Sequence, residues 1–172
     1  MSQFWRTEGI VIDSVSYGEA DGIFRIFSKD YGLISVVAKA YKKGKSNKTA
    51  FLQTGAWLKF NLVQKENRLA ILQQVSSVQL VQGLTYPDLV ALSNMLKALK
   101  LLNPDSQVSE RVWQLIQEFW PEFIQNPAKR LLSMAFQIKL LIISGFWGNL
   151  KHCAHCQKVF SPQDQIVLTE NG

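Results

Sequence analysis

The hydrophobic period of this chain changes once, near Gln82, and that single change fixes the kind of fold it can adopt. Before it, apolar residues alternate in short runs closed by turn residues; after it, they recur every three or four positions. Gly9 to Val15 is β-branched, Ile23 to Phe27 alternates about Arg25, and Leu33 to Ala38 follows a turn at Asp30-Tyr31-Gly32, so three consecutive strands are expected. Ala56 to Lys65 sets Trp57, Lys59, Asn61 and Gln64 against Leu58, Phe60, Leu62 and Val63. A turn at Glu66-Asn67 then feeds a fifth strand, Arg68 to Leu72, whose pattern runs on through Val75, Val78 and Leu80. A unit of roughly eighty residues and five strands must hide its edges, and closure into a small barrel does so with the least chain. The OB-fold fits, with an SH3-like barrel as the competing closure.

Beyond Gln82 helices are expected. Pro87 suits a first helical turn, and Leu89, Leu92, Leu96 and Leu99 share one face. After a break at Asn103-Pro104-Asp105, a second helix is expected from Gln107 to Trp120, with Val108, Val112, Leu115 and Phe119 inward and Pro121 as its end. Pro127 opens a third, running to Ile143 or Ser144 with Gly145 as its stop. This third helix is apolar around most of its circumference, which predicts a central place among the others. The expected organisation is α+β: a barrel over 1–82, a helical domain over 83–148 and a tail over 149–172.

Charge is distributed unevenly. Residues 1–80 hold eleven Lys/Arg against six Asp/Glu, and the stretch from Lys39 to Lys65 carries seven lysines and no acid. Five of these, Lys39, Lys42, Lys43, Lys45 and Lys48, crowd into the segment between the third and fourth strands. Lysines on a small β scaffold meet phosphate well, because each one that displaces a condensed counterion from a nucleic-acid backbone gains free energy without reading sequence. A solvated loop kept soluble by its charge is the alternative. Arg25, Lys59 and Arg68 extend the cationic set if their strands face outward. Of the nearby aromatics, Tyr41 stands inside the lysine run as the candidate for base stacking, whereas Phe51 and Trp57 fit a core.

Cys153 and Cys156 form one Cys-x-x-Cys pair, flanked by His152 and His155. A zinc ribbon needs a second pair some fifteen to twenty residues on. The chain stops at Gly172, so a truncated half-site for zinc is expected rather than a complete one. Both histidines of the chain lie in this segment. That leaves no general base in the barrel or the helices for Ser-His-Asp or Cys-His chemistry, and catalysis is not expected. Phosphate-loop, dinucleotide and zincin motifs are absent from the sequence. Glu19 and Asp21, beside Gly18 and Gly22, read as turn residues. Met1 to Glu8 lacks the apolar core of a signal peptide, and Leu131 to Ile143, interrupted by Ser133, Gln137 and Lys139, is short for a membrane span. A reducing, cytoplasmic setting is expected.

Taken together, Gly9-Ile10-Val11-Ile12, Tyr17-Gly18-Glu19-Ala20-Asp21 with Ile23, Tyr31-Gly32-Leu33-Ile34, and Ala38-Lys39 leading to Lys42-Lys43-Gly44-Lys45-Ser46 resemble the N-terminal barrel of the RecO family of bacterial recombination mediators. Phe136 to Leu141, Ser144-Gly145-Phe146 and Cys153-Ala154-His155-Cys156 resemble that family's last core helix and the first half of its zinc site. The resemblance implies a non-enzymatic DNA-repair protein in the bacterial cytoplasm, at the nucleoid. Its OB-fold would bind single- and double-stranded DNA and promote annealing. It further implies RecR, the acidic tail of single-stranded-DNA-binding protein and, indirectly, RecA as partners. Ala40 stands where the family usually has glycine, and Gly22 where a basic residue is common. The residue pattern by itself also leaves open a helical protein-docking scaffold or an RNA-binding OB module.

Overall fold

The computed structural model describes residues 2–41, 50–66, 68–103 and 108–146, together with 152, 153, 156, 158, 159 and 161. Strands β1 (Ser2–Tyr17), β2 (Asp21–Ser28), β3 (Gly32–Ala38), β4 (Trp57–Lys65) and β5 (Ala70–Gln79) close into a barrel of order β1-β2-β3-β5-β4. All neighbours are antiparallel except β3 and β5, which pair in parallel over Val36–Ala70 and Val37–Ile71. This five-stranded Greek-key barrel is the OB-fold.

Strand β1 makes closure possible. Its first half pairs with β4 from Ser2 to Ile10, and its second half pairs with β2 from Gly9 to Tyr17. The crossover falls at Gly9, where an added Cβ would lie 2.6 Å from Ile26 Cγ2 and 2.7 Å from the Phe27 carbonyl oxygen. Only glycine lets the strands approach that closely. The strand begins seven residues before Gly9 to Val15 would suggest, because Phe4, Arg6 and Glu8 face outward while Trp5 and Thr7 turn in, and this mixed composition conceals the alternation. Val11, Phe24, Ile26, Val36, Leu58, Phe60, Leu62 and Leu72 fill the barrel interior.

Helices α1 (Tyr86–Leu102), α2 (Glu110–Gln125) and α3 (Lys129–Ile143) follow. They share a second core with the outer face of the barrel, where Ile10, Ile12, Phe27, Leu33 and Trp57 pack against them. The Trp57 and Trp113 rings meet edge to face at 5.7 Å, Trp120 Nε1 donates to the Gly55 carbonyl at 2.9 Å, and Lys100 Nζ lies 2.6 Å from Asp13 Oδ2. Barrel and helices are therefore welded through apolar burial, and the buried Trp120 bond fixes their register.

Two helical expectations need correction, and a third holds in part. Pro121 does not end α2, which continues to Gln125. An interior proline costs about 3 kcal/mol, and burying Trp120 and Phe123 on either side of it offsets that cost. Helix α3 does hold the central place among the helices, packing against both α1 and α2, but they do not surround it. It buries only Ser133, Phe136 and Leu140, whereas α2 buries seven residues and touches both the barrel and α3. The apolar circumference of α3 divides into one stripe on the core and a second, Leu131, Met134, Ile138 and Ile142, that is exposed. Leu89 and Val108, assigned inward by periodicity, are exposed as well.

Candidate nucleic-acid interface

The segment rich in lysine leaves the barrel at the end of β3, and a carboxylate holds it there. Asp21, first residue of β2, accepts a hydrogen bond from the Ala40 backbone N–H at 2.8 Å through Oδ1, and its Oδ2 lies 3.7 Å from Lys39 Nζ. Asp21 thus acts as a clamp on the base of this segment, a role that the reading of it as a mere turn residue missed. The Tyr17-to-Asp21 motif was the available signal. Ala40 adopts φ 56°, in the left-handed region that favours glycine, which accounts physically for the glycine usual at this position in the resembling family.

Tyr41 comes next, and its ring lies edge-on to Phe24 at 4.8 Å, partly buried against the barrel core. Gly22 makes room for it, since a Cβ there would lie 2.9 Å from the Phe24 ring and 3.2 Å from that of Tyr41. The tyrosine is thus positioned as a plug as much as a platform. Lys42, Lys43, Lys45 and Lys48 lie outside the described residues. The chain re-enters the described fold at Ala50, with Phe51 partly buried against the barrel core and Leu52 within it.

The other candidate cations occupy different walls. Arg25 on β2 is exposed, opposite Ser35 of β3, and Arg68 is exposed in the β4–β5 turn, where its carbonyl accepts from Gln64 Nε2 at 2.9 Å. Neither has an ion-pair partner among the described residues. Lys59 projects from β4, beside Glu8 of β1, whose carboxylate lies 3.5 Å from its Nζ. Strand β1 separates it from Arg25 on one side of the barrel, and β5 and β3 separate it on the other. Arg25, Lys39 and Arg68 therefore border the β2–β3–β5 wall, while Lys59 stands on another wall with its charge largely answered.

That wall contains a groove of about 510 Å³, lined by Trp5, Arg25, Tyr31, Ile34, Gln64 and Leu69 among others. Tyr31 and Trp5 meet there edge to face at 4.3 Å. Neither ring was singled out from the sequence as a binding residue; a large aromatic at a turn, with no apolar partner in its local pattern, was the signal for Tyr31.

In the tail, Cys153 N–H donates to the Lys158 carbonyl at 2.9 Å, and His152 bridges to Val159. Among the described residues no three His, Cys, Asp or Glu side chains gather as metal ligands, and His155 lies outside those residues. No helix among them is long and apolar enough to cross a membrane.

Residues 1–81 match the family model described as Recombination protein O N terminal. The chain is 26% identical over 155 residues to the DNA repair protein RecO of Bacillus subtilis, covering 88% of this chain and 60% of that protein. It is 26% identical over 157 residues to the RecO of Rubrobacter xylanophilus, covering 88% and 62%, and 26% identical over 162 residues to that of Halalkalibacterium halodurans, covering 92% and 63%. The chain spans somewhat under two thirds of the length of these curated relatives. With an OB barrel over the matched segment, a helical unit behind it and similarity running through both, the chain is similar to the RecO family along most of its length.

Proposed function

We propose that this chain is a DNA-binding protein of recombinational DNA repair that works by binding, not by catalysis. In this reading it binds single- and double-stranded DNA, promotes annealing of complementary strands and assists RecA loading. The name its relatives carry, DNA repair protein RecO, supports the repair role. The observation that carries the binding role is the acid-free lysine segment, tethered to a closed OB barrel by Asp21 at one end and by the buried Leu52 at the other. Lys39, Lys42, Lys43, Lys45 and Lys48, together with Arg25 and Arg68, would neutralise phosphates on two strands at once. That lowers strand repulsion, and pairing follows. Lys59 contributes less, since Glu8 competes for it. Tyr41 would add stacking at the base of the segment.

Partners of the same reading are RecR and the acidic tail of single-stranded-DNA-binding protein. Support for peptide docking comes from the uncovered apolar stripe of α3 and the adjoining groove of Tyr86, Val90, Met134 and Arg130, which offers a cation beside apolar surface. A zinc role for Cys153 and Cys156 would require ligands beyond those described.

Annealing of complementary labelled oligonucleotides, followed by fluorescence transfer with and without the protein, tests the function. Acceleration that falls as salt rises is expected. No acceleration together with no DNA binding at low salt would refute it, and stronger binding to structured RNA than to DNA would favour an RNA module.

A further inference from the structure

Strands β3 and β5 touch over only two residue pairs, Val36–Ala70 and Val37–Ile71. Strand β5 begins at Ala70, so toward the β2–β3 turn a slit is left beside β3, and Leu33 to Ser35 keep β2 as their one strand neighbour among the described residues. The groove occupies this slit and reaches from the exposed wall at Arg25 and Ser35 inward to Trp5 and Ile34, which pack against the barrel core. Its volume of about 510 Å³ falls within the range of small-ligand sites.

The groove is built from preorganised parts. Ser28, 1% exposed, accepts from the Tyr31 backbone N–H at 3.2 Å and donates to the Gly32 carbonyl at 2.9 Å, so a buried hydroxyl fixes the turn that carries Tyr31. Tyr31 is 36% exposed, and an edge-to-face pair at 69° covers at most one face of either ring. Asp30, the acid on the rim, is engaged by the Thr7 hydroxyl at 2.9 Å. Arg25 on the same rim has no ion-pair partner among the described residues. Gln64 is held by its bond to the Arg68 carbonyl and keeps its side-chain oxygen as an acceptor. Trp5 Nε1 is a buried donor without an acceptor among the described residues.

We propose that this slit receives one unstacked base of a DNA single strand, with Tyr31 and Trp5 as its apolar wall and Arg25 as partner to the adjoining phosphate. The inference rests on the DNA-binding reading and adds to it a place where a base, not only the backbone, is held. A base inside a duplex is stacked on both faces and does not enter, so the slit distinguishes single strands from double strands.

The test uses the full chain and three probes: a single-stranded oligonucleotide, the same oligonucleotide with abasic positions, and its duplex. Tyr31→Ala should weaken binding to the first about tenfold and leave duplex binding within about twofold, the scale of losing one base stack. It should add nothing to the already weaker binding of the abasic strand, and Tyr31→Phe, which keeps a ring, should restore binding. Arg25→Ala should reduce the salt slope for the single strand by about one. Equal losses on all three probes, or no loss on any, would overturn the slit as a base site while leaving DNA binding intact. Failure of the unsubstituted protein to bind any of the three would overturn both readings. Displacement of bound single strand by an extended peptide pairing with Leu33–Ser35, with Tyr31→Ala silent, would assign the slit to a protein partner instead.

Discussion

The carboxylate of Asp21 and the backbone N–H of Ala40, nineteen residues apart in sequence, are joined by a hydrogen bond of 2.8 Å. The bond closes the start of β2 onto the end of β3 at the point where the chain departs toward the lysines. Because Asp21 also faces Lys39 at 3.7 Å, it spends negative charge beside a cationic site, which is useful only if the geometry it secures matters more than the charge it cancels. Asp21→Ala should lower the unfolding free energy by about 1–2 kcal/mol, most of it from the charge-assisted bond to the backbone and little from the exposed ion pair. Urea denaturation of the variant checks this, and an unchanged midpoint would show that the clamp is not stabilising.

Ala40 supplies the converse experiment. Its φ of 56° costs an L-residue about 1–2 kcal/mol, part of which glycine returns as greater freedom in the unfolded chain. Ala40→Gly should therefore stabilise the protein by about 0.5–1 kcal/mol in the same urea experiment. Destabilisation would mean that the alanine methyl makes a contact worth more than the backbone strain.

The bond from Trp120 Nε1 to the Gly55 carbonyl couples the helices to the barrel. Trp120→Phe keeps most of the buried ring but leaves that carbonyl unsatisfied, which should cost about 1–3 kcal/mol. Since both halves share one core, near-ultraviolet circular dichroism and far-ultraviolet ellipticity should fall together in a single transition. Two separated transitions would contradict a shared core.

Helix α1 begins with Thr85 donating both its backbone N–H, at 3.0 Å, and its hydroxyl, at 2.8 Å, to Asp88 Oδ2. The side-chain bond first, then the backbone bond, hold the Asp88 carboxyl below the ordinary aspartate range. A carboxyl whose folded pKa is depressed stabilises above its unfolded pKa and loses that contribution as pH falls through the folded one. The difference in melting temperature between the wild type and Asp88→Ala should therefore be constant near neutrality and shrink on acidification below the usual aspartate range. A difference that grows in acid would contradict the assignment.

Strands β2 to β5 were legible because their alternation is carried by β-branched and aromatic residues and punctuated by turns. The first half of β1 was not, since its inward positions are Trp5, Thr7 and Gly9 and its outward ones include an exposed Phe4. Period alone also could not rank the helices. An all-round apolar helix such as α3 looks fully buried until the packing shows which stripe is covered, and Pro121 looks terminal until Phe123 is seen buried beyond it. Of the candidate site, the cations were legible as charge, but their distribution was not. That Arg25 and Arg68 have no ion-pair partner among the described residues, that Lys59 stands with Glu8, and that Trp5 and Tyr31 meet at an open slit all depend on contacts between strands distant in sequence.

The most direct measurement is the salt dependence of duplex binding for the wild type and for the triple variant Lys42→Ala, Lys43→Ala, Lys45→Ala, followed by fluorescence anisotropy. If these lysines neutralise phosphates, the slope of log affinity against log salt should flatten by about three. An unchanged slope with unchanged affinity would remove the lysine segment from the interface and contradict the account.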